Sequence, residues 1–569
     1  MLPNVSKREV LFSLFAGFAF TAAPDYISTG DCSLDAAYVF SSLVLGMLFL
    51  LLGHLAEHFL EGWRAEAPAW IGRASSWVGR VLQGRHATLW LALIIFACWL
   101  PMLICLFPGT FINDTWGQIQ NIMSWWRGKS DLSGRHPLLV SLIMYFVIVP
   151  FAKLTGHWHV AMFLYVLLQA AVTSLVFAYS VVYARTRLKV RNRWLLLALA
   201  MYCLLPFYAT SVQTISKDAM FSWCYVLLAI FYMEVVRTEG EALGSARFLA
   251  GMACTVLFCC LTKKVAVYII VGSLVLLLPF LRSGRGRVAL QVAGVILLMF
   301  VAVPAFNLYV GMSSDLSTEK YSVLMQQTAR YVKYHGDDIT DEEYEAIDAF
   351  LNMDTLADRY NPTNVDPLKF DADTPAVWAD DATVQAWLRV WAAQGLRHPE
   401  TYADATFAML SGWFSFTEYK PLMNMSWHNQ QNAKLIPEGV ADRTGVSAWL
   451  ATFAESTYDR IANIPGVDVL LSYGLYASLV PLFLLAMLLK RRRVVPHCWL
   501  PMVPMWLSIV FGCWLAPVSI SFEGRRYLYP VTYTIPLTLL WLCFVIQVCR
   551  KQATGKQQSA GRHMREPEA

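Results

Sequence analysis

Asp114 stands in the run F-P-G-T-F-I-N-D-T-W at 107–116, directly after an apolar stretch, and D-L-S-G-R-H-P follows at 131–137. A carboxylate at a membrane surface can take a proton from an acceptor hydroxyl, more readily where partial burial raises its pKa. The plainer reading of Asp114 is a helix cap, since Asp satisfies the free N–H groups of a first turn. His136, beside Pro137, reads more simply as a turn residue than as a base. A second polar turn, T-I-S-K-D at 214–218, holds Lys217 and Asp218, which by themselves read as a neutralised pair. A third, T-K-K at 262–264, puts Lys263 and Lys264 where two short apolar blocks meet. Cations there call for an anionic partner such as a lipid phosphate, or snorkel to headgroups. A fourth, S-F-E-G-R-R-Y-L-Y-P at 521–530, holds Glu523, Arg525, Arg526 and Tyr527. The planar guanidinium fork suits phosphate, and the competing reading is a surface pair of Arg526 with Glu523. In Q-Q-T-A-R-Y-V at 326–332 the helical spacing lays Arg330 along a membrane surface on an amphipathic helix.

These turns have to be held by apolar helices. The chain is 57% hydrophobic and 15% charged over 569 residues, too little polar surface to cover a soluble globule. Apolar blocks at 88–107, 160–184, 194–212, 288–310, 466–489, 498–517 and 530–549 approach the roughly 20 residues a helix needs to cross about 30 Å of hydrocarbon. Open sheets are excluded in lipid because their edges leave backbone groups unpaired. Most of the twelve cysteines lie inside apolar blocks and no C-x-x-C pair occurs, so neither a zinc site nor a disulfide framework is expected. Lys7 and Arg8 precede an apolar stretch at 10–24 that resembles a signal sequence, but no small-residue cleavage site follows. With the block at 37–59 it reads as an uncleaved hairpin.

Basic residues are retained on the cytoplasmic side. Four clusters mark it: Arg64 to Arg85, Arg185 to Arg193, Arg282 to Arg287, and Lys490 to Arg493. The segment 311–465 is the opposite, with 23 Asp and Glu against 11 Lys and Arg; its formal charge of −12 leaves +17 for the rest of the chain. It is expected outside. Three apolar stretches lie between the first two basic clusters, and an odd number of crossings cannot join two cytoplasmic loops. The stretch 137–155, with Pro137, Pro150 and Lys153, is therefore expected to lie in the interface or re-enter, making 108–158 one long external connection. The prediction is an all-α polytopic membrane protein of about twelve spanning helices with both termini cytoplasmic. Its parts are an N-terminal hairpin at 1–60, a core at 61–310, an acidic external domain at 311–465, C-terminal spans at 466–549 and a tail at 550–569.

The order of these motifs resembles the GT-C class of membrane glycosyltransferases, which includes protein mannosyltransferases and lipid A aminoarabinose transferases. The run Q-Q-T-A-R-Y-V, with N-V-D-P-L-K-F at 364–370 and H-P-E-T-Y-A-D-A-T-F at 398–407, is similar to an uncharacterised bacterial family grouped with that class. The resemblance covers roughly 88–530. It implies interfacial helices, a mainly helical external domain, and transfer of a sugar from a polyprenyl phosphate carrier to a glycan, lipid or protein acceptor on the outer face. Asp114 matches the position of the base and Asp218 the second acidic position. Lys263, Lys264, Arg525 and Arg526 match the groups that meet the carrier phosphate, with Lys217, His136, Arg330, Glu523 and Tyr527 as further substrate contacts. A divalent cation between Asp114 and Asp218 is an open option. The bilayer is the expected partner, and no nucleic acid. The alternatives are a polysaccharide polymerase or ligase, which places the burden on Arg330 or His136, and a lipid or sugar transporter.

Overall fold

A computed structural model describes residues 5–62, 68–313, 318–369, 380–416, 445–515 and 524–563. The chain is an all-α membrane protein. Among the described residues eight helices are long and apolar enough to cross a bilayer: Lys7–Ser28, Ala36–Gly62, Ala87–Cys105, Leu138–Thr155, Trp158–Thr186, Lys217–Arg237, Arg285–Tyr309 and Arg526–Ala553. A ninth results if Asn192–Leu204 and Pro206–Val212 are one span bent by 54°. The bend has a local cause, because Pro206 cannot donate to the preceding turn and holds Leu205 extended. Shorter apolar helices are Ala246–Thr262, Ala266–Phe280 and Met502–Trp514.

Burial separates central from peripheral helices. The apolar windows of Lys217–Arg237 and Arg526–Ala553 are each 78% buried, against 17% for Ala36–Gly62 and 11% for Arg285–Tyr309. The two central helices are the ones whose first turns carry Lys217, Asp218 and Arg526. They are fixed by polar contacts in an apolar surround, where broken hydrogen bonds find no water. Tyr208 donates to the Thr532 carbonyl, Ser211 and Tyr533 share a 2.8 Å hydrogen bond, and Tyr232 donates to the Ser273 carbonyl.

Side-chain contacts sort the helix ends onto two faces. On one face Lys264 reaches the Gly134 carbonyl, Ser313 pairs with the Leu132–Ser133 strand-like turn, and Lys263 meets Asp218. On the other, Lys490 and Arg491 bind Glu9, Glu57 and Glu61, Tyr183 bonds Glu234, and Arg282 pairs with Glu239. The basic clusters around residues 185, 282 and 490 thus share a face, away from Asp114.

The Leu138–Thr155 helix has the length and apolarity of a crossing helix. Residues flanking both of its ends nevertheless contact the Asn113–Trp126 helix. His136, before its start, lies 3.9 Å from Asp114, and Trp158, just past its end, packs on Trp116 at 5.7 Å.

Residues 318–410 build a small helical module with its own core of Met325, Ile347, Phe350, Leu356 and Trp387. The Ser322–Tyr334 helix is amphipathic as the spacing predicts, but Arg330 does not lie along a membrane surface. It is 3% exposed and donates to the Gly30 carbonyl and Tyr360, with Asp404 at 3.3 Å and Asp31 at 3.5 Å. It docks the module on the N-terminal hairpin. A guanidinium that finds two carboxylates and a carbonyl in protein gains more than one turned to headgroups.

Candidate functional site

The site begins with a two-residue parallel pairing. Thr110 and Phe111 lie beside Thr214 and Ile215, and Gln169 donates from the side to the carbonyls of Val212 and Thr214. Thr115 also donates to the Ile215 carbonyl. These bonds fix the loop after one span against the loop before another, although the residues lie about a hundred positions apart. Helices start immediately after each strand, Asn113–Trp126 and Lys217–Arg237, the latter capped by Ser216 through the Ala219 N–H. Asp114 and Asp218 therefore both sit in first turns, where the helix dipole favours negative charge.

Asp114 does not act as the cap. Ile112 occupies the cap position, and the Asp114 carboxylate turns to Lys217 at 2.7 Å and Arg526 at 3.2 Å, with the His136 ring at 3.9 Å. Arg526 also approaches Asp218 at 3.5 Å, so one guanidinium bridges both carboxylates. It is 8% exposed, so its pairing with the two aspartates is a buried one. Lys263 binds Asp218 at 2.7 Å and lies over the Tyr527 ring at 5.2 Å. Its anionic partner is thus a protein carboxylate, and neither snorkelling nor lipid is needed to account for it. Lys217 is also 3.3 Å from His136.

Seven of the eleven sequence candidates therefore meet in one cluster: Asp114, His136, Lys217, Asp218, Lys263, Arg526 and Tyr527. Lys264 sits beside it on the Gly134 carbonyl. Arg330 belongs to the separate docking cluster, and no contact joins it to these groups among those the structure describes. Glu523 and the side chain of Arg525 lie outside the described residues. Sequence reasoning missed Thr115 and Gln169, which position the strands. Gln169, a polar residue inside an apolar block, was a visible signal.

Burial would raise the Asp114 carboxyl, but Lys217, Arg526 and His136 hold it well below the usual carboxylate range. Burial pushes the His136 imidazole down, and Lys217 pushes it further against the pull of Asp114, to about 3. At neutral pH the carboxylate is ionised and the imidazole uncharged.

This donor set does not fit a divalent ion between the two aspartates. Each carboxylate already faces a lysine at 2.7 Å, and Arg526 occupies the space between them. An added dication would meet three cations at once. Among the described residues His335, His398 and Glu400 bring ligating atoms within 4.8 Å of one another, in the 318–410 module. Their imidazoles are stacked at 3.9 Å, so the in-plane lone pairs run side by side, and both His398 nitrogens already face Asp338 and Glu400.

A family model described as a family of unknown function, DUF6020, matches residues 125–562. The chain belongs to the DUF6020 family. The matched segment includes His136, Lys217, Asp218, Lys263 and Arg526, and begins after Asp114. No curated protein and no solved structure matches the chain.

Proposed function

We propose that this DUF6020 chain is an integral membrane glycosyltransferase of GT-C type, moving a sugar from a polyprenyl phosphate to an acceptor at the outer membrane surface. The observation that carries the reading is the meeting of a partly exposed carboxylate, Asp114, with Lys217 and Arg526 at the ends of apolar helices. A lipid-borne donor stays in the bilayer, and its phosphate can reach that level. Arg526 and Lys217 bind the phosphate, which draws them off Asp114 and frees the carboxylate to act as a base. The acceptor hydroxyl then attacks the anomeric carbon, its proton passes to Asp114, and the carbon–oxygen bond to the phosphate breaks. The polyprenyl phosphate leaves as an anion stabilised by the same cations. One displacement inverts the anomeric centre. Asp218, fully buried, holds Lys263 and Arg526 in place and is a positioning residue.

The helix ends support a count of twelve crossings. Starting from Glu9 on the basic face, the chain alternates faces through the spans that begin at 7, 36, 87, 158, 192, 217, 246, 266 and 285. After the acidic module it continues through 475–491, 502–514 and 526–553. Leu138–Thr155 is then left as an interfacial or re-entrant helix, and both termini fall on the basic face. The positive-inside rule makes that face cytoplasmic. In a background with Cys32 replaced by Ser, Asp131→Cys and Asp341→Cys should react with an impermeant maleimide added to intact cells, and Arg492→Cys only after lysis. Labelling of residue 492 from outside would reverse the orientation.

Deletion of the protein should lead to accumulation of one polyprenyl-phosphate sugar, measured by mass spectrometry of extracted lipids, with return to the basal level on complementation by the wild-type chain. An unchanged lipid-linked sugar pool would rule out the donor class.

A further inference from the structure

At the far ends of two helices that carry the site lies a second cationic assembly. The Tyr529–His563 helix follows directly on Arg526 and, about 36 Å along its axis, brings Arg550 and Lys551 to the basic face. The Asn192–Leu204 helix starts there, and its partner Pro206–Val212 ends beside the Thr214–Ile215 strand. Between the two ends is a cavity of 380 Å³ lined by Lys189, Arg191, Arg193, Trp194, Arg550 and Lys551, with four further uncharged residues. Its volume falls within the roughly 300–1,000 Å³ of small-molecule sites.

Among the described residues, five cations and no carboxylate line this cavity. The acidic residues next to Leu60 on its rim helix are taken elsewhere: Glu57 and Glu61 bind Lys490 and Arg491. The positive-inside tendency accounts for basic residues in solvated loops, where salt screens their repulsion. It does not account for their convergence on one concave space, with the half-buried Arg193 guanidinium 5.2 Å above the Trp194 ring. Both bounding helices turn from apolar to charged sequence at this level, which is where phospholipid phosphates lie.

We propose that this pocket binds a phosphate-bearing anion, with the headgroup of an anionic membrane lipid as the source its level favours. The arrangement is independent of the sugar-transfer reading. Three guanidinium forks and two lysine ammonium groups surround the phosphate oxygens, and Trp194 lies at headgroup level.

The full chain in nanodiscs of phosphatidylcholine with phosphatidylglycerol tests this by native mass spectrometry of retained lipid. Wild type should retain phosphatidylglycerol, and Arg193→Gln with Arg550→Gln should lower retention about tenfold or more through two lost charges. The exposed pair Arg191→Gln with Lys551→Gln, which leaves the half-buried residues intact, should lower it in the same direction and guards against misfolding of the first variant. A rise in thermal stability with inorganic pyrophosphate, lost in both variants and without lipid retention, assigns the pocket to a soluble phosphate instead. Equal lipid retention and equal pyrophosphate response in wild type and both variants overturns the proposal.

Discussion

Asp114→Asn should lower sugar transfer by a factor of about 10² to 10⁴, the usual contribution of a general base, while leaving the protein close to wild type in detergent-solubilised stability. Asparagine keeps the size and the place in the first turn but cannot take a proton. The Lys217 side chain is 16% exposed and stays within reach of water, and Arg526 keeps Asp218 as its counter-charge, so the cost to folding stays small. Asp114→Glu should recover little, because a carboxylate displaced by about 1 Å already loses roughly a hundredfold in positioning. The pH profile adds a readout that capping cannot mimic. In the free protein Lys217, Arg526 and His136 keep the carboxyl well below its usual range, so kcat/KM should show no acid limb from Asp114. Donor phosphate takes the cations, the carboxyl pKa rises in the complex, and kcat should fall as pH drops through that raised value. Full activity in Asp114→Asn would sink the assignment.

Asp218→Asn is expected to act on stability first, by about 3–5 kcal/mol, because it strips the counter-charge from Lys263 and Arg526 where neither reaches bulk water. Lys263 is 6% exposed, Arg526 8% and Asp218 fully buried. Asp218→Asn combined with Lys263→Gln should recover much of that loss, since removing both partners leaves no orphaned charge and Asp114 still faces Arg526. Unfolding in mixed detergent micelles measures both. A single variant as stable as wild type, or a double variant no better than the single, would contradict the buried-pair role. The contrast between the two aspartates is a matter of exposure: the same residue type, in the first turn of a helix in each case, serves at the edge of the cluster and beneath it.

The amino-acid sequence alone determined the membrane class, because no arrangement of 57% hydrophobic residues in blocks of spanning length can be covered except by lipid. It also marked the polar turns, since Asp114, Lys217, Asp218, Lys263 and Arg526 interrupt apolar runs where charge is costly. Which of these charges belong together was decided by tertiary structure. Asp114 and Lys217 are 103 residues apart, and only the pairing of Thr110–Phe111 with Thr214–Ile215 brings them to 2.7 Å. Two-residue strands leave no periodic trace in a sequence. The local reading of Asp114 as a cap failed because it counted neighbours along the chain, while a buried charge is neutralised by whatever the fold places within about 4 Å. Arg330 shows the converse. Its helix was legible from spacing, but its partners come from Gly30, Asp31, Tyr360 and Asp404. Amphipathic period fixes which side of a helix is buried and is silent about what lies against it.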